Sequence, residues 1–503
     1  MSEFDQEYFP HKESQELLRS YKTIWALNHA TSLLSWDQET YMPEDGVFER
    51  SIALSEIATL IQRLITDKSF LEKIEALEKI EDPTIYERAL IRVLRRSLKY
   101  YLKVPPEIIA EFSKTASEAN VVWRNARKEN NFEKFKPYLD KLVSLNIKIA
   151  DYLGYEKNPY DALLDLYEEG LTADEFKRIV DKLVPGLKKI LDKILSDGYF
   201  SRPCPLENMS YDVNVMRKVN EKILEIFGYD RRRLRLDVSA HPFTTNMGIR
   251  DVRITTRYEG IDFRRTMFSV IHEFGHALYE LQIDERLSFT PLASGVSMGI
   301  HESQSRFWEN IIGRSREFIY AIYDLLADNL DLRGKYDVEE IYRYFNIVRP
   351  GLIRVDADEV TYNFHIVLRF ELENMMINQE IKTEDLPELW NDYMEKLLGI
   401  RPKTYSEGVL QDIHWSSGSI GYFPSYSLGT LIAAHIRDKM SKEIDLANNV
   451  RNLRFEPVKK WLKEKIHMYG SIYPPRELLK RSLDIEVDPT VFLRYLEEKF
   501  LLK

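Results

Sequence analysis

The stretch 261–302 constrains the fold of this chain more than any other. Its apolar residues recur at three- and four-residue spacing, so the sequence predicts a mostly buried helix over 262–283. Within that helix, His272, Glu273 and His276 place three ionisable side chains in five positions, which is unusual for a buried helix. The chain is therefore expected to fold around a polar site on this helix.

The histidines have the spacing that a metal ion requires. Residues four apart lie one above the other on a helix, so His272 and His276 can offer two imidazoles to one cation. Glu273 lies beside them, where it can reach a water molecule on that cation. This H-E-x-x-H arrangement is typical of zinc sites.

A catalytic zinc ion takes three protein ligands and keeps one position open. Glu302 is the best candidate for the third ligand, because the Ser- and Gly-rich segment 294–299 can turn the chain before a second helix over 300–327. The alternative is a hydrogen-bonded pair of core histidines with a solvated Glu302.

Composition narrows the class of protein. The chain has 503 residues and 44% hydrophobic content, enough for two lobes or one large helical domain. A net charge of −10 argues against nucleic acid or an anionic membrane surface as the main partner. Cys204 is the single cysteine, no apolar run is long enough to span a bilayer, and the first residues lack signal-peptide order. We expect a cytoplasmic protein.

Helical periodicity dominates the rest of the chain and predicts a mainly α fold. We expect one domain over 1–503, with a mainly helical half at 1–230 and the metal-site half at 231–503. The segment 35–43 is polar and aromatic without clear periodicity, and it is either a loop packed over the site or a connection between helices, of which we favour the connection. The further predicted helices are 13–35, 48–67, 83–103, 106–129, 131–153, 172–197, 337–350, 358–380, 384–398, 424–446, 456–469 and 489–501.

Residues 234–260 alternate with period two and predict a small sheet directly before the H-E-x-x-H helix. An edge strand there could pair with a peptide backbone. Asp251, Arg253 and Thr255 share one strand face, which is either solvated or turned toward the helix, where Asp251 could hold the far nitrogen of a ligand histidine. His241, taken alone, is more typical of a structural role.

Two irregular stretches later in the chain are rich in reactive groups. Arg354 lies in 353–358, and His414 and Tyr422 lie in 408–426, between predicted buried helices. Loops of this kind often carry catalysis. The alternative is that the aromatic residues of 408–426 only fill the core.

Together these motifs resemble the thermostable, Taq-type zinc metallocarboxypeptidases, in chain order and over nearly the whole sequence. The resemblance implies a mostly helical, two-lobed zincin with a deep central groove, and a homodimer. It implies removal of single residues from peptide C-termini with broad specificity, using one zinc ion per chain that cobalt can replace. The motifs are Trp36-Asp37-Gln38, Met42-Pro43, His241-Pro242-Phe243, Asp251-x-Arg253-x-Thr255, His272-Glu273-x-x-His276, His301-Glu302-Ser303-Gln304, Ile353-Arg354-x-x-Ala357-Asp358 and Gly408-x-x-Gln411-Asp412-x-His414-Trp415.

The expected chemistry assigns a role to each group. Zinc on His272, His276 and Glu302 would activate water, and Glu273 would take its proton and pass it to the leaving amine. His414 and Tyr422 are the expected donors to the tetrahedral oxyanion.

The remaining candidates bind or support the substrate. Arg354 is expected to hold the terminal carboxylate in bidentate geometry, with Arg253 as its competitor. His241 and Tyr426 are expected to contact the substrate. Asp251, Gln411 and Asp412 are expected to contact and position the residues that bind the metal or the substrate.

Two rival functions remain open at this point. A helical zinc endo-oligopeptidase would use the same metal residues without a carboxylate anchor. A di-iron carboxylate protein would use paired Glu-x-x-His motifs, and the chain contains Glu273-x-x-His276 and Glu464-x-x-His467.

Overall fold

The computed structural model describes residues 4–502 and is mainly helical, as predicted. Helices dominate residues 4–226, and the longest connection among them runs from 198 to 212. The helices of this half are α1 (Lys12–Thr40), α2 (Val47–Ile65), α3 (Lys68–Glu78), α4 (Ile85–Lys103), α5 (Pro106–Glu129), α6 (Phe132–Leu153), α7 (Pro159–Tyr167), α8 (Ala173–Asp197) and α9 (Val213–Ile226).

The predicted small sheet is present and precedes the H-E-x-x-H helix. It has three strands, β1 (Leu234–Val238), β2 (Thr244–Gly248) and β3 (Asp251–Thr256), in the order β1-β3-β2. Strand β3 is central and pairs with β1 in parallel and with β2 in antiparallel orientation. Strand β2 is therefore an edge strand, and it packs against the helix that follows the sheet.

The second half returns to helices. Helix α10 (Phe263–Leu281) carries the H-E-x-x-H motif, and α11 (Met298–Arg306) continues into a π-helical turn at Phe307–Gly313, where the helical winding ends. The helices of this half are α10 (Phe263–Leu281), α11 (Met298–Arg306), α12 (Arg316–Asn329), α13 (Val338–Phe345), α14 (Tyr362–Ile377), α15 (Leu386–Leu398), α16 (Pro424–Glu443), α17 (Leu446–Arg451), α18 (Glu456–Lys465), α19 (Pro475–Leu483) and α20 (Pro489–Phe500).

Two predictions about helix limits are wrong. The segment 35–43 is not simply a connection, because α1 runs on to Thr40 and buries Trp36. The single helix predicted over 300–327 is three pieces, because the π-helical turn widens the winding and Ser315 caps a new helix by accepting from Phe318 N at 3.2 Å. Five helices were not predicted: α3, α7, α9, α17 and α19.

Apolar burial divides the described chain into two clusters. The larger runs from Val104 to Phe500 and includes residues of both halves, with α10 and α11 among its members. The smaller joins α1, α3 and α4 to Ile283, Leu287 and Leu292. Among residues 4–502, no helix is long and apolar enough to cross a membrane.

Candidate metal and peptide-binding site

The site exists because α10 and α11 approach each other very closely. A Cβ on Gly275 would lie 2.5 Å from Gln304 O and 2.6 Å from Ser305 Cα, so only glycine permits this contact. On the other side of α11, a Cβ on Gly429 of α16 would lie 2.6 Å from Glu302 Cβ. Glu302 is thus held between two helices at glycine contacts.

His272, His276 and Glu302 converge, with their ligand atoms all within 4.8 Å of one another. Glu302 Oε2 lies 3.7 Å from His272 Nε2 and 3.4 Å from His276 Nε2. Two ligand atoms about 2.0–2.1 Å from a tetrahedral zinc ion lie about 3.4 Å apart. The donor set and its spacing therefore fit a divalent cation such as Zn²⁺.

His272 is supported by a carboxylate. Its Nδ1 donates to Glu309 Oε2 at 2.9 Å, and Glu309 also accepts from Arg314 at 3.0 Å. Burial alone would raise the pKa of Glu309, but the hydrogen bond from His272 and the charges of Arg306 and Arg314 hold it well below its usual range. The carboxylate is therefore ionised and fixes the orientation of the imidazole.

His276 is supported by a second histidine. Its Nδ1 lies 2.7 Å from His301 Nδ1, and His301 Nε2 lies 2.8 Å from Glu280 Oε1. Burial lowers the pKa of His276 to about 3, so its imidazole is neutral at neutral pH. A neutral imidazole is the form that coordinates a metal.

The buried carboxylate of Glu302 is ionised because the guanidinium of Arg306 lies beside it. Arg306 Nε donates to Glu302 Oε1 at 2.7 Å, and Ser305 Oγ donates to Oε2 at 3.1 Å. Burial would raise the pKa of Glu302, but Arg306 and the two histidines lower it well below its usual range. One oxygen is thus neutralised by Arg306, and the other faces the histidines.

Glu273 lies beside the metal-binding atoms and contacts the edge strand. Thr244 Oγ1 of β2 donates to Glu273 Oε2 at 2.6 Å. Burial raises the pKa of Glu273, which is the direction that a general base needs in order to hold a proton near neutral pH.

A second polar group contains His414, Tyr422 and Tyr426. Tyr426 Oη lies 3.1 Å from His414 Nε2, and the His414 and Tyr422 rings are 5.4 Å apart. His414 Nδ1 is buried without a hydrogen-bond partner among the described residues. Burial and the charge of Arg354 lower the pKa of His414 to about 3, and burial raises the pKa of Tyr422 to about 12. Both are therefore neutral groups at neutral pH.

Arg354 lies next to this group and is held from several sides. Its Nε donates to Asp412 Oδ1 at 2.9 Å, its Nη2 contacts the same carboxylate at 2.8 Å, and its Nη1 donates to Tyr362 Oη at 3.0 Å. Gln411 Oε1 accepts from Arg354 N at 2.8 Å, and Asp412 also pairs with Arg369. Gln411 and Asp412 thus contact Arg354 directly, as expected of residues that hold it in position.

The loop that carries His414 has an anchor that the sequence analysis missed. Glu373 of α14 is fully buried and accepts from Tyr160 Oη at 2.7 Å, Trp415 Nε1 at 2.7 Å and Gly421 N at 2.9 Å. Trp415 thus does more than fill the core, because its hydrogen bond attaches the loop to the carboxylate of Glu373.

The expectation that Asp251 holds the far nitrogen of a ligand histidine is wrong. Asp251 instead accepts from Arg253 Nε and Nη2, both at 2.9 Å, while Glu309 and His301 contact the ligand histidines. Arg253 lies over Trp36 at 4.3 Å from the ring centre. His241 is exposed at the turn before β2.

Glu309, Arg306, Glu280 and Gly275 were not predicted either. A signal existed for two of them, because Glu302, Arg306 and Glu309 follow at four- and three-residue spacing, which places them on one helix face. The contacts of Glu280 and Gly275 depend on distances between elements, which helix periodicity does not report.

The di-iron alternative does not fit the structure. Glu464 is exposed and pairs with Lys460 at 3.7 Å. His467 is buried, with its two ring nitrogens 2.7 Å and 2.8 Å from the glutamines Gln282 and Gln304. Glu464-x-x-His467 therefore has no part in the site of α10.

Known proteins agree with this geometry. The family described as carboxypeptidase Taq (M32) metallopeptidase matches residues 16–500. Thermostable carboxypeptidase 1 of Pyrococcus furiosus is 54% identical over 498 residues, covering 99% of this chain and 100% of that protein.

Solved structures extend the agreement to the fold. The structure of Pyrococcus furiosus carboxypeptidase superposes with a TM-score of 0.97 at 54% identity, covering 98% of this chain and 100% of that one. Trypanosoma cruzi metallocarboxypeptidase 1 superposes with a TM-score of 0.92 at 32% identity, covering 97% and 99% of the two chains. The resemblance seen in the motifs is confirmed, and the chain belongs to the carboxypeptidase Taq (M32) family of metallopeptidases, as a metallocarboxypeptidase.

Proposed function

We propose that the protein is a zinc-dependent carboxypeptidase that releases single amino acids from peptide C-termini with broad specificity. The observation that carries the proposal is the convergence of His272, His276 and Glu302 directly beside the buried Glu273. One zinc ion per chain would bind there, and cobalt, which accepts the same nitrogen and oxygen ligands, would replace it.

When bound, the cation supplies Lewis-acid activation of a water molecule and of the scissile carbonyl. Glu273 accepts a proton from the attacking water and returns it to the leaving amine. Thr244 orients the base, because its hydroxyl occupies one carboxylate oxygen and leaves the other for the water.

The oxyanion is stabilised by His414 and Tyr422. The proposed donor atom of His414 is Nε2, which lies 3.1 Å from Tyr426 Oη, because Nδ1 is buried. Tyr422 keeps its hydroxyl proton at neutral pH. In this proposal two neutral donors serve the carbonyl oxygen, where negative charge develops.

Arg354 is our choice for the substrate's terminal carboxylate. A guanidinium has five N–H donors, and Asp412 and Tyr362 use three of them, which leaves one on each terminal nitrogen. These two can hold a carboxylate end-on. Arg253 remains the competitor, because Asp251 uses only one of its edges.

The substrate backbone is proposed to lie along β2. This strand is one of the two edge strands of the sheet, and its Thr244 contacts the general base. Pairing with an edge strand supplies sequence-independent hydrogen bonds, which suits broad specificity. Tyr426 and His241 are proposed to contact the side chains of the substrate.

We further propose a cytoplasmic homodimer with one domain per chain. The larger core cluster contains residues of both halves of the chain, which supports one domain. Cys204, the sole cysteine, is buried and free, as suits a reducing compartment. Helix α2 buries only Ile65 and exposes Val47, Phe48 and Ile52 by 54%, 68% and 50%, which supports an interface there.

The test combines metal content with product masses over time on an unmodified peptide. We expect a ladder of products, each shorter by one C-terminal residue, which stops when a chelator is added and resumes with Zn²⁺ or Co²⁺. Internal cleavage of a peptide with an amidated C-terminus would contradict the proposal and favour the endo-oligopeptidase. Light scattering on Phe48→Ser tests the dimer, and an unchanged mass would exclude α2 from the interface.

A further inference from the structure

Strand β2 contacts α10 twice from one face. Thr244 donates to Glu273, and two residues later Asn246 Nδ2 donates to Glu280 Oε2. Alternate residues of a strand share a face, and positions 273 and 280 are two helical turns apart. One short strand therefore contacts both the general base and a carboxylate that lies further along the same helix.

Glu280 begins a chain of contacts that ends on His276 Nδ1, the ring nitrogen that does not face the metal site. Its Oε1 accepts from Gly295 N at 3.0 Å and lies 2.8 Å from His301 Nε2, and His301 Nδ1 lies 2.7 Å from His276 Nδ1. A carboxylate only accepts, so His301 donates from Nε2; with a single proton on this ring, its Nδ1 accepts from His276 Nδ1. His276 is thereby left with a lone pair on Nε2, the atom that faces Glu302.

The ring of His301 has little freedom to adopt another arrangement. It packs on Tyr279, with ring centres 5.1 Å apart. On another side lies Gly295, where a Cβ would stand 2.6 Å from His301 Cδ2. Packing therefore holds His301 where its two nitrogens meet one donor and one acceptor.

We propose that His301, Glu280 and Asn246 form a positioning chain that keeps His276 in its metal-binding tautomer. The proposal rests on the metal site described above. His272 has one direct bond to the carboxylate of Glu309, whereas a second histidine, His301, lies between His276 and the carboxylate of Glu280.

The test uses metal-free, ¹⁵N-histidine-labelled full-length protein. NMR of the ring nitrogens reports the tautomer of His276, whose signals are assigned by their loss in His276→Asn. We expect the Nδ1–H tautomer in the wild type and a mixture in His301→Leu. Zinc affinity, measured by competition with a chelator, should fall about 10- to 100-fold in His301→Leu. His301→Gln should recover part of it, because an amide supplies both an acceptor and a donor.

His435→Leu is the matched control, because His435 is 6% exposed and bonds to Asp488 of the C-terminal region instead of a ligand. It should leave the His276 tautomer and the zinc affinity unchanged. If His301→Leu does not fold, Glu280→Met interrupts the chain at its far end and should give the same two changes. An unaltered tautomer with unaltered zinc affinity in either variant overturns the proposal. These readouts need no substrate, so a failure of peptide cleavage would refute the proposed function separately.

Discussion

Replacing Gly275 by alanine should separate the two helices that hold the metal. The new Cβ would begin 2.5 Å from Gln304 O and 2.6 Å from Ser305 Cα, and both are backbone atoms that no rotamer change can move. An ordinary contact needs about 3.4 Å, so α11 must retreat by about 0.9 Å. The separation of Glu302 from His272 and His276 would grow from 3.7 and 3.4 Å toward 4.6 and 4.3 Å.

The consequence for metal binding should exceed that for stability. Alanine gains about 1 kcal/mol of helix propensity over glycine, while overpacking costs about 1–3 kcal/mol, so the net loss of stability is small. A tetrahedral metal needs its ligands about 3.4 Å apart and cannot bind all three after such a shift. Zinc affinity, measured by competition with a chelator, should fall at least about tenfold.

Gly186→Ala is the matched control. Gly186 is also a helix glycine at a tight contact, but it faces the terminal methyl groups of Leu493, which can rotate away. It lies where α8 packs on α20. The midpoint of thermal unfolding of the Gly186→Ala variant should shift, while its zinc affinity stays constant. Wild-type zinc affinity in a folded Gly275→Ala protein would refute the idea that the close approach of α10 and α11 sets the site.

Further predictions concern chemistry, substrate recognition and acid stability. Glu273→Gln should keep its zinc, measured by metal analysis, and lose about 10²–10⁴ in kcat; retained activity would remove Glu273 as the base. Arg354→Ala should reduce the preference for free over amidated C-termini in kcat/KM, more than Arg253→Ala does; the reverse order would reassign the anchor. His467 is fully buried, and burial lowers its pKa to about 3, so the unfolded chain takes up a proton below about pH 6.5 that the folded protein does not. Stability should fall with acidification by about 1.4 kcal/mol per pH unit from this group, and urea unfolding of His467→Gln should show a shallower fall than the wild type.

The metal ligands could be predicted because their signal is local. His272 and His276 lie on one helix face by spacing alone, and a short connection brings Glu302 back to them. The sheet was equally readable, since apolar and polar residues alternate along the segments that form β1 and β3. These features need only the geometry of one element or of two joined by a short turn.

The rest depended on distances between remote elements. Helix α1 continues through Thr40 because Trp36 packs on Arg253, a residue more than two hundred positions away. Asp251 lies on β3 within the predicted sheet, but its carboxylate accepts from Arg253, two residues further along the same strand. Some omissions were avoidable: α7 begins with Asn158 as its cap and Pro159 at its first position, a recognisable start signal.

The π-helical turn at Phe307–Gly313 makes this part of the chain intolerant of changes in length. One residue corresponds to about 100° of rotation around a helix axis. Deleting a residue from this turn would restore regular winding, yet it would swing Glu309 away from His272 and leave Arg306 in place. Natural or engineered insertions and deletions should therefore be found in the flanking connections, before Met298 or after Gly313, and be selected against between them.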